Sequence, residues 1–142
     1  MKALKYKLKT CQRGVAAVEF AIIAPLMLFM LFGITAYGVF FGAAHSVQQL
    51  AANSARVAMG GVDTEERQSL VADYVANAVP QDGLLLADKL DVAVSEAEDN
   101  PGYILVTVTY DANDLPIWNL YNGLPLPERT IVRQSIIRAG GY

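Results

Sequence analysis

This sequence predicts an α+β fold carried on one long N-terminal transmembrane helix, and three observations predict it. From Phe20 to Ala44 no side chain is charged, a run of 25 residues. Gly60-Gly61 then breaks the helical pattern, and Asp63 opens a second, shorter amphipathic stretch. Beyond Pro80 the apolar residues change from helical spacing to strict alternation, the mark of strands.

As helix, the charge-free run would extend roughly 37 Å at about 1.5 Å per residue, more than the ~30 Å of a bilayer core. It is also longer than the apolar core of a cleavable secretory signal, about 7–15 residues. The helical pattern does not stop at Phe41. It continues through Gly42-Ala43-Ala44-His45-Ser46, with Val47, Leu50 and Val57 near one face and Gln48, Gln49, Asn53 and Arg56 mostly off it. One helix is therefore expected over residues 15–59, in lipid to about residue 44. Pro25 deletes an amide donor and crowds the carbonyl of Ala21, so a kink is expected there.

Residues 60–142 are expected to form the folded domain. Asp63, with Glu66 three residues on, makes a capping-box-like start for the second helix. Its apolar stripe is Leu70, Val71, Tyr74, Val75 and Ala78, and Pro80 ends it. Leu90, Val92 and Val94 alternate with polar residues, Glu98-Asp99-Asn100-Pro101-Gly102 turns the chain, and Ile104, Val106, Val108 and Tyr110 alternate on the way back. That is a β-hairpin. A less regular stretch with Pro116, Trp118, Pro125 and Pro127 comes next, and a last strand from about Thr130 to Arg138 precedes Gly140-Gly141. The expected product is a three- or four-stranded antiparallel sheet packed on the apolar faces of the two helices.

Charge gives the orientation. Lys2, Lys5, Lys7, Lys9 and Arg13 put five cations, and no acid, into residues 1–14. With a net charge of −3 for all 142 residues, the remainder carries −8; Glu19 lies inside the apolar run, which leaves −7 beyond Ala44. Basic residues flanking a first membrane helix stay cytoplasmic, so the acidic domain is expected outside the bacterial inner membrane in a single-pass arrangement. Nucleic acid is not an expected partner, because phosphate contacts need clustered Lys and Arg. The single cysteine, Cys11, precedes the apolar run, where a lipoprotein would carry it just after; the exported part has none, so packing must stabilise it without disulfides.

The junction reads Gln12-Arg13-Gly14-Val15-Ala16-Ala17-Val18-Glu19-Phe20. A basic leader ends at Gly14, and an acidic residue stands fifth after it in an otherwise apolar helix, the prepilin peptidase pattern of type IV pilins. From Arg13 to Gly38, with Glu19-Phe20 and Ala24-Pro25-Leu26, the chain closely resembles TadE-like proteins, the minor pseudopilins of the tight-adherence (Flp pilus) system. Ala51-Ala52-Asn53-Ser54-Ala55-Arg56 extends the resemblance over roughly the first sixty residues. It implies cleavage after Gly14 by an inner-membrane prepilin peptidase, Val15 as the new N-terminus, and Glu19 with Phe20 as assembly residues. It also implies pilin or pseudopilin subunits and the pilus assembly machine as partners, beside the lipid bilayer. Physics supports these roles. Glycine lets backbone approach a catalytic centre closely, and an acid within a membrane helix, costing up to about 2.5–3.5 kcal/mol at the centre, needs a reason. The simpler alternative for Glu19 is an acid favoured near a helix N-terminus and wetted at the interface.

Other features carry less. Gly38 and Gly42 form a GxxxG step, extended by Thr35 and Ser46, that would suit close helix packing. Tyr37, Phe40 and Phe41 are expected at the outer interface as an aromatic belt. His45 reads as an interfacial polar residue. Asp111-Ala112-Asn113-Asp114 is similar to the start of a calcium loop but lacks its later glycine and glutamate, so a turn is expected. Glu96, Glu98 and Asp99 read as a solvated turn, and Trp118 with Tyr121 as core. No phosphate loop, Gly-x-Ser-x-Gly or metal-ligand spacing is present, so neither enzyme activity nor a cofactor is expected. Two rival readings stand beside the pilin-like one: a type II secretion pseudopilin, disfavoured by valine where phenylalanine is usual after the cut, and an uncleaved signal anchor whose acidic domain binds a partner.

Overall fold

The computed structural model describes residues 12–80, 83–98, 100–119 and 126–139, with side chains from Val15 onward. The leader through Cys11, Asp99, Tyr121, Pro125 and Gly140-Gly141 lie outside the described residues. Helix α1 spans Gln12–Ala58 and helix α2 Thr64–Ala78, followed by strands β1 (Leu90–Glu96), β2 (Tyr103–Asp111) and β3 (Thr130–Arg138). The strands form one antiparallel sheet in the order β1-β2-β3, so the fold is α+β with three strands.

The chain divides into two compact units, Met1–Thr35 and Ala36–Tyr142. Among the described residues the first unit is helix α1 alone, running through Pro25 as helix. Its side chains from Val15 are almost all exposed, Phe20 and Ile22 by 70% and 71%. Mean hydropathy reaches 2.4 over the most apolar window, long and apolar enough to cross a membrane.

In the second unit α1 changes surroundings. Ala36, Phe40, Ala43, Ala44, Val47, Leu50, Ala51, Ser54, Ala55 and Ala58 are all buried, the 3–4 spacing of one helical face. Most are alanine, which lets neighbouring elements come close to the helix backbone. The folded unit therefore begins at Ala36 and takes in the last third of the apolar run, where the sequence pattern placed its start at Gly60. Apolarity alone does not separate a face turned to lipid from one turned to a protein core. Phe40 shows the same correction: it leaves the expected aromatic belt and is buried edge-on against Trp118, with centroids 6.2 Å apart and rings at 83°. Phe41 next to it stays 63% exposed.

Asp63 caps α2 as expected, its Oδ1 accepting from the Glu66 amide at 2.8 Å, while Glu66 Oε2 accepts in return from the Val62 amide at 2.8 Å. The buried line of α2 is narrower than its apolar stripe. Val71 and Val75 are buried and Tyr74 half-buried, whereas Leu70 and Ala78 are exposed. The hairpin registers as its alternation predicts, Val92 opposite Val108 and Val94 opposite Val106. Its turn closes with the Tyr103 amide bonded to the Asn100 carbonyl at 3.1 Å, and Gly102 at φ +87° supplies the left-handed residue that comes after proline in a type II turn. On β3 the inward residues are Ile131, Arg133, Ser135 and Ile137, set opposite Tyr110, Val108, Val106 and Ile104.

The outer edge of β1 is closed by a side chain. Gln68 of α2 donates from Nε2 to the Val92 carbonyl at 2.7 Å and accepts at Oε1 from the Val94 amide at 2.8 Å. The amide thus imitates one rung of a neighbouring strand.

Between α1 and α2, Gly61 admits no side chain. A Cβ there would stand 2.8 Å from the backbone N of Arg67 and 3.0 Å from its Cα. Gly61→Ala is expected to cost about 1–3 kcal/mol of head stability, the usual range for forced overpacking. Gly60→Ala, whose nearest neighbour is the Val57 carbonyl oxygen at 3.4 Å, is expected to cost less. Denaturant unfolding of the two variants checks this, and equal losses would contradict it.

Candidate processing and assembly segment

Gly14 and Val15 lie within α1. Glycine lowers helix stability by about 1 kcal/mol relative to alanine, so Gly14 weakens the helix locally beside the Gly14–Val15 bond. Val15 is exposed, and Glu19 lies four residues on, on the same helical face. Glu19 is exposed and makes no hydrogen bond or ion pair among the described residues. Phe20, at 70% exposure, is equally open. Val15 and Glu19 thus share one helical face, and Phe20 is turned about 100° away from Glu19.

The two glycines of the GxxxG step part company. A Cβ on Gly38 would meet nothing within 4 Å, whereas one on Gly42 would come within 3.2 Å of Leu84 Cδ2. Gly42 is engaged by a loop of its own chain, and Gly38 is the open position. No local signal could have shown this, because Leu84 lies far along the chain in Gly83-Leu84-Leu85-Leu86. Nearby, Ser46, Gln49, Leu50 and Asn53 of α1 line a groove of about 280 Å³ with Tyr74 and Leu84.

The remaining polar residues serve local structure. His45 pairs with Gln49 one turn on, Nε2 to Nε2 at 2.9 Å. Asp111 Oδ1 accepts from the Asn113 amide at 3.0 Å, forming the turn expected there. Asp114 forms an ion pair with Lys89, and that contact, aided by Asp111 and Tyr110, holds the Lys89 ammonium above the usual lysine range despite some desolvation. Trp118 donates its indole N–H to the Ala112 carbonyl, and the Arg129 guanidinium lies 5.2 Å from its ring centroid. Trp118 is half-buried, with Phe40 and Arg129 both close to its ring.

Comparison with protein-family models matches residues 14–56 to the TadE-like protein family. The match begins at Gly14 and stays within α1, so it covers the exposed apolar stretch, Glu19, and most of the α1 face buried in the second unit. No curated protein matches the chain, and no solved structure does.

Proposed function

We propose, with a TadE-like N-terminal helix as the premise, that the protein is a minor pseudopilin of a tight-adherence (Flp-type) pilus system. It is inserted once in the bacterial inner membrane with its N-terminus cytoplasmic, is cut by a prepilin peptidase between Gly14 and Val15, and works by subunit contact without turnover. The observation that carries this reading is the family match starting at Gly14, on a helix whose first exposed turns hold Glu19 in an otherwise apolar surface. Gly14 offers the peptidase an unobstructed backbone. Gly38 leaves a flat step on the helix where another subunit's helix can approach.

In cells holding a prepilin peptidase, the intact mass of the membrane-extracted protein is expected to match a chain beginning at Val15, and Gly14→Ile is expected to abolish that cut. A chain that retains residues 1–14 in those cells supports the signal-anchor reading instead.

Glu19 then has a candidate partner, the α-amine that cleavage exposes on Val15 of a neighbouring subunit. Within one chain the two are separated by about 6 Å of helical rise, so a shift of one helical turn between adjacent subunits levels the charges. Pairing offsets part of the cost of holding each charge at low dielectric, and removing one partner strands the other. Glu19→Gln is expected to leave insertion and cleavage intact while weakening subunit crosslinking and surface piliation. Normal piliation with normal cleavage would return Glu19 to an interfacial acid.

A further inference from the structure

We infer that the folded units of two copies of this chain meet head to tail, the β3 edge of one beside the β1 edge of the next. Arg133 and Arg138 face Asp91 and Glu96 across that contact. It deepens the subunit-contact role proposed above, and rests on it for a second copy in the same membrane. Strand β1 carries two acids and no base, Asp91 and Glu96, while β3 carries two bases and no acid, Arg133 and Arg138. Each pair is five residues apart, about 17 Å at ~3.4 Å per residue. The register sets the pairs at corresponding heights. Asp91 is opposite Thr109 and Arg133 opposite Val108; Glu96 is opposite Ile104 and Arg138 opposite Tyr103. Both arginines are thus offset from the acids by one residue in the same sense, and a slip of about 3.4 Å levels the two pairs together.

Within one chain these charges do not meet, because β2 stands between them and holds β1 roughly 9–10 Å from β3. None of the four enters an ion pair among the described residues. Asp91, Glu96 and Arg138 are exposed; Arg133 is half-buried, but its guanidinium donates to the Val132 carbonyl at 2.8 Å. Arg129 and Ala139 bond toward β2, through the Ala112 amide and the Gly102 carbonyl, so the even-numbered residues between them turn their carbonyls to the free edge. The Arg133 charge therefore reaches that edge. Charge also selects the arrangement. Both β1 and β3 are antiparallel to β2 and run the same way, so a copy displaced sideways in the sheet plane brings β3 beside the next β1. A two-fold pairing of like edges would set arginine against arginine or acid against acid. The contact is one of side chains and not strand addition, since the Gln68 amide already holds the Val92 and Val94 rung of β1. Exposed ion pairs contribute about 0–1 kcal/mol each, so the contact is reversible and depends on copies being concentrated in one membrane.

The test uses the full chain with Cys11→Ser in phosphatidylcholine vesicles, without a peptidase, and a short bis-maleimide crosslinker. Ser95 and Ile136, both exposed and both opposite Leu105, are replaced by cysteine in separate preparations. Crosslinked dimer is expected in an equal mixture of Ser95→Cys and Ile136→Cys chains, and several-fold less of it in either chain alone. The yield is expected to fall several-fold between about 0.1 M and 1 M salt, as the screening length drops from about 10 Å to 3 Å. Arg138→Glu in the Ile136→Cys chain should cut the yield several-fold, and Glu96→Arg in the Ser95→Cys chain should restore it. No dimer in the mixture, equal yields in the mixture and in the single chains, or a charge reversal that has no effect or is not rescued each overturns the contact. The vesicle chains keep residues 1–14 throughout, so a failure of cleavage in cells bears on the pseudopilin reading and not on this contact.

Discussion

A chain trimmed to residues 61–142 is expected to show no cooperative unfolding, whereas one starting at Ala36 should fold. The shorter piece keeps α2 and the whole sheet but loses every buried residue of α1, from Ala36 to Ala58. Val47 and Leu50 alone each contribute about 1.5–3 kcal/mol by burial, and a core this small supplies only about 3–5 kcal/mol in all. Removing that face also uncovers Val71, Val106, Val108 and Ile104, now fully or almost fully buried in one cluster. The measurement is urea unfolding of both pieces followed by circular dichroism. A sigmoidal transition from the 61–142 piece would show that α2 and the sheet make a core without α1.

Phe40→Ala is expected to remove about 3–5 kcal/mol, the usual range for a buried phenylalanine and comparable to the whole stability of such a head. Phe41→Ala, one residue away, should leave the head's unfolding midpoint nearly unchanged. The contrast comes from burial. Phe40 is 7% exposed and meets Trp118 edge to face, while Phe41 is 63% exposed. Trp118 is the only tryptophan, so its fluorescence reports the site directly. Emission should shift to the red in Phe40→Ala as the indole loses the aromatic ring packed against it. If the two variants unfolded alike, Phe40 would be serving the belt role its sequence neighbourhood suggests.

Features fixed by neighbours along the chain were legible beforehand. The Asp63–Glu66 cap, the Pro101-Gly102 turn and the alternation of β1 against β2 depend on residues a few positions apart, and all three occur as the pattern implies. The candidate processing and assembly residues are likewise read from neighbours along the chain. Gly14 and Glu19 are recognised by spacing within one helix, and the family match begins where that spacing does. What stayed hidden depends on contacts across the fold. Ala36 and Ala24 are both alanines in an apolar helix, and only the presence of a sheet distinguishes one surroundings from the other. Phe40 and Phe41 are chemically identical, separated by about 100° of helical rotation. The closing of Gly42 by Leu84 and of β1 by Gln68 joins residues with no shared local pattern.

The Gln68 bridge has a consequence for what such a sheet can become when many copies are concentrated in one membrane. A sheet with two bare edges is a bifunctional monomer: each addition presents a fresh edge, and growth has no end. Here both edges carry an amide from a helix of the same chain: Gln68 on Val92 and Val94 of β1, and Gln48 Nε2 on the Gln134 carbonyl of β3 at 3.4 Å. Polymer chemistry calls a molecule with its reactive ends blocked a chain stopper. Each cap occupies a rung that an incoming strand would need, so strand-to-strand growth of these heads is opposed on both sides.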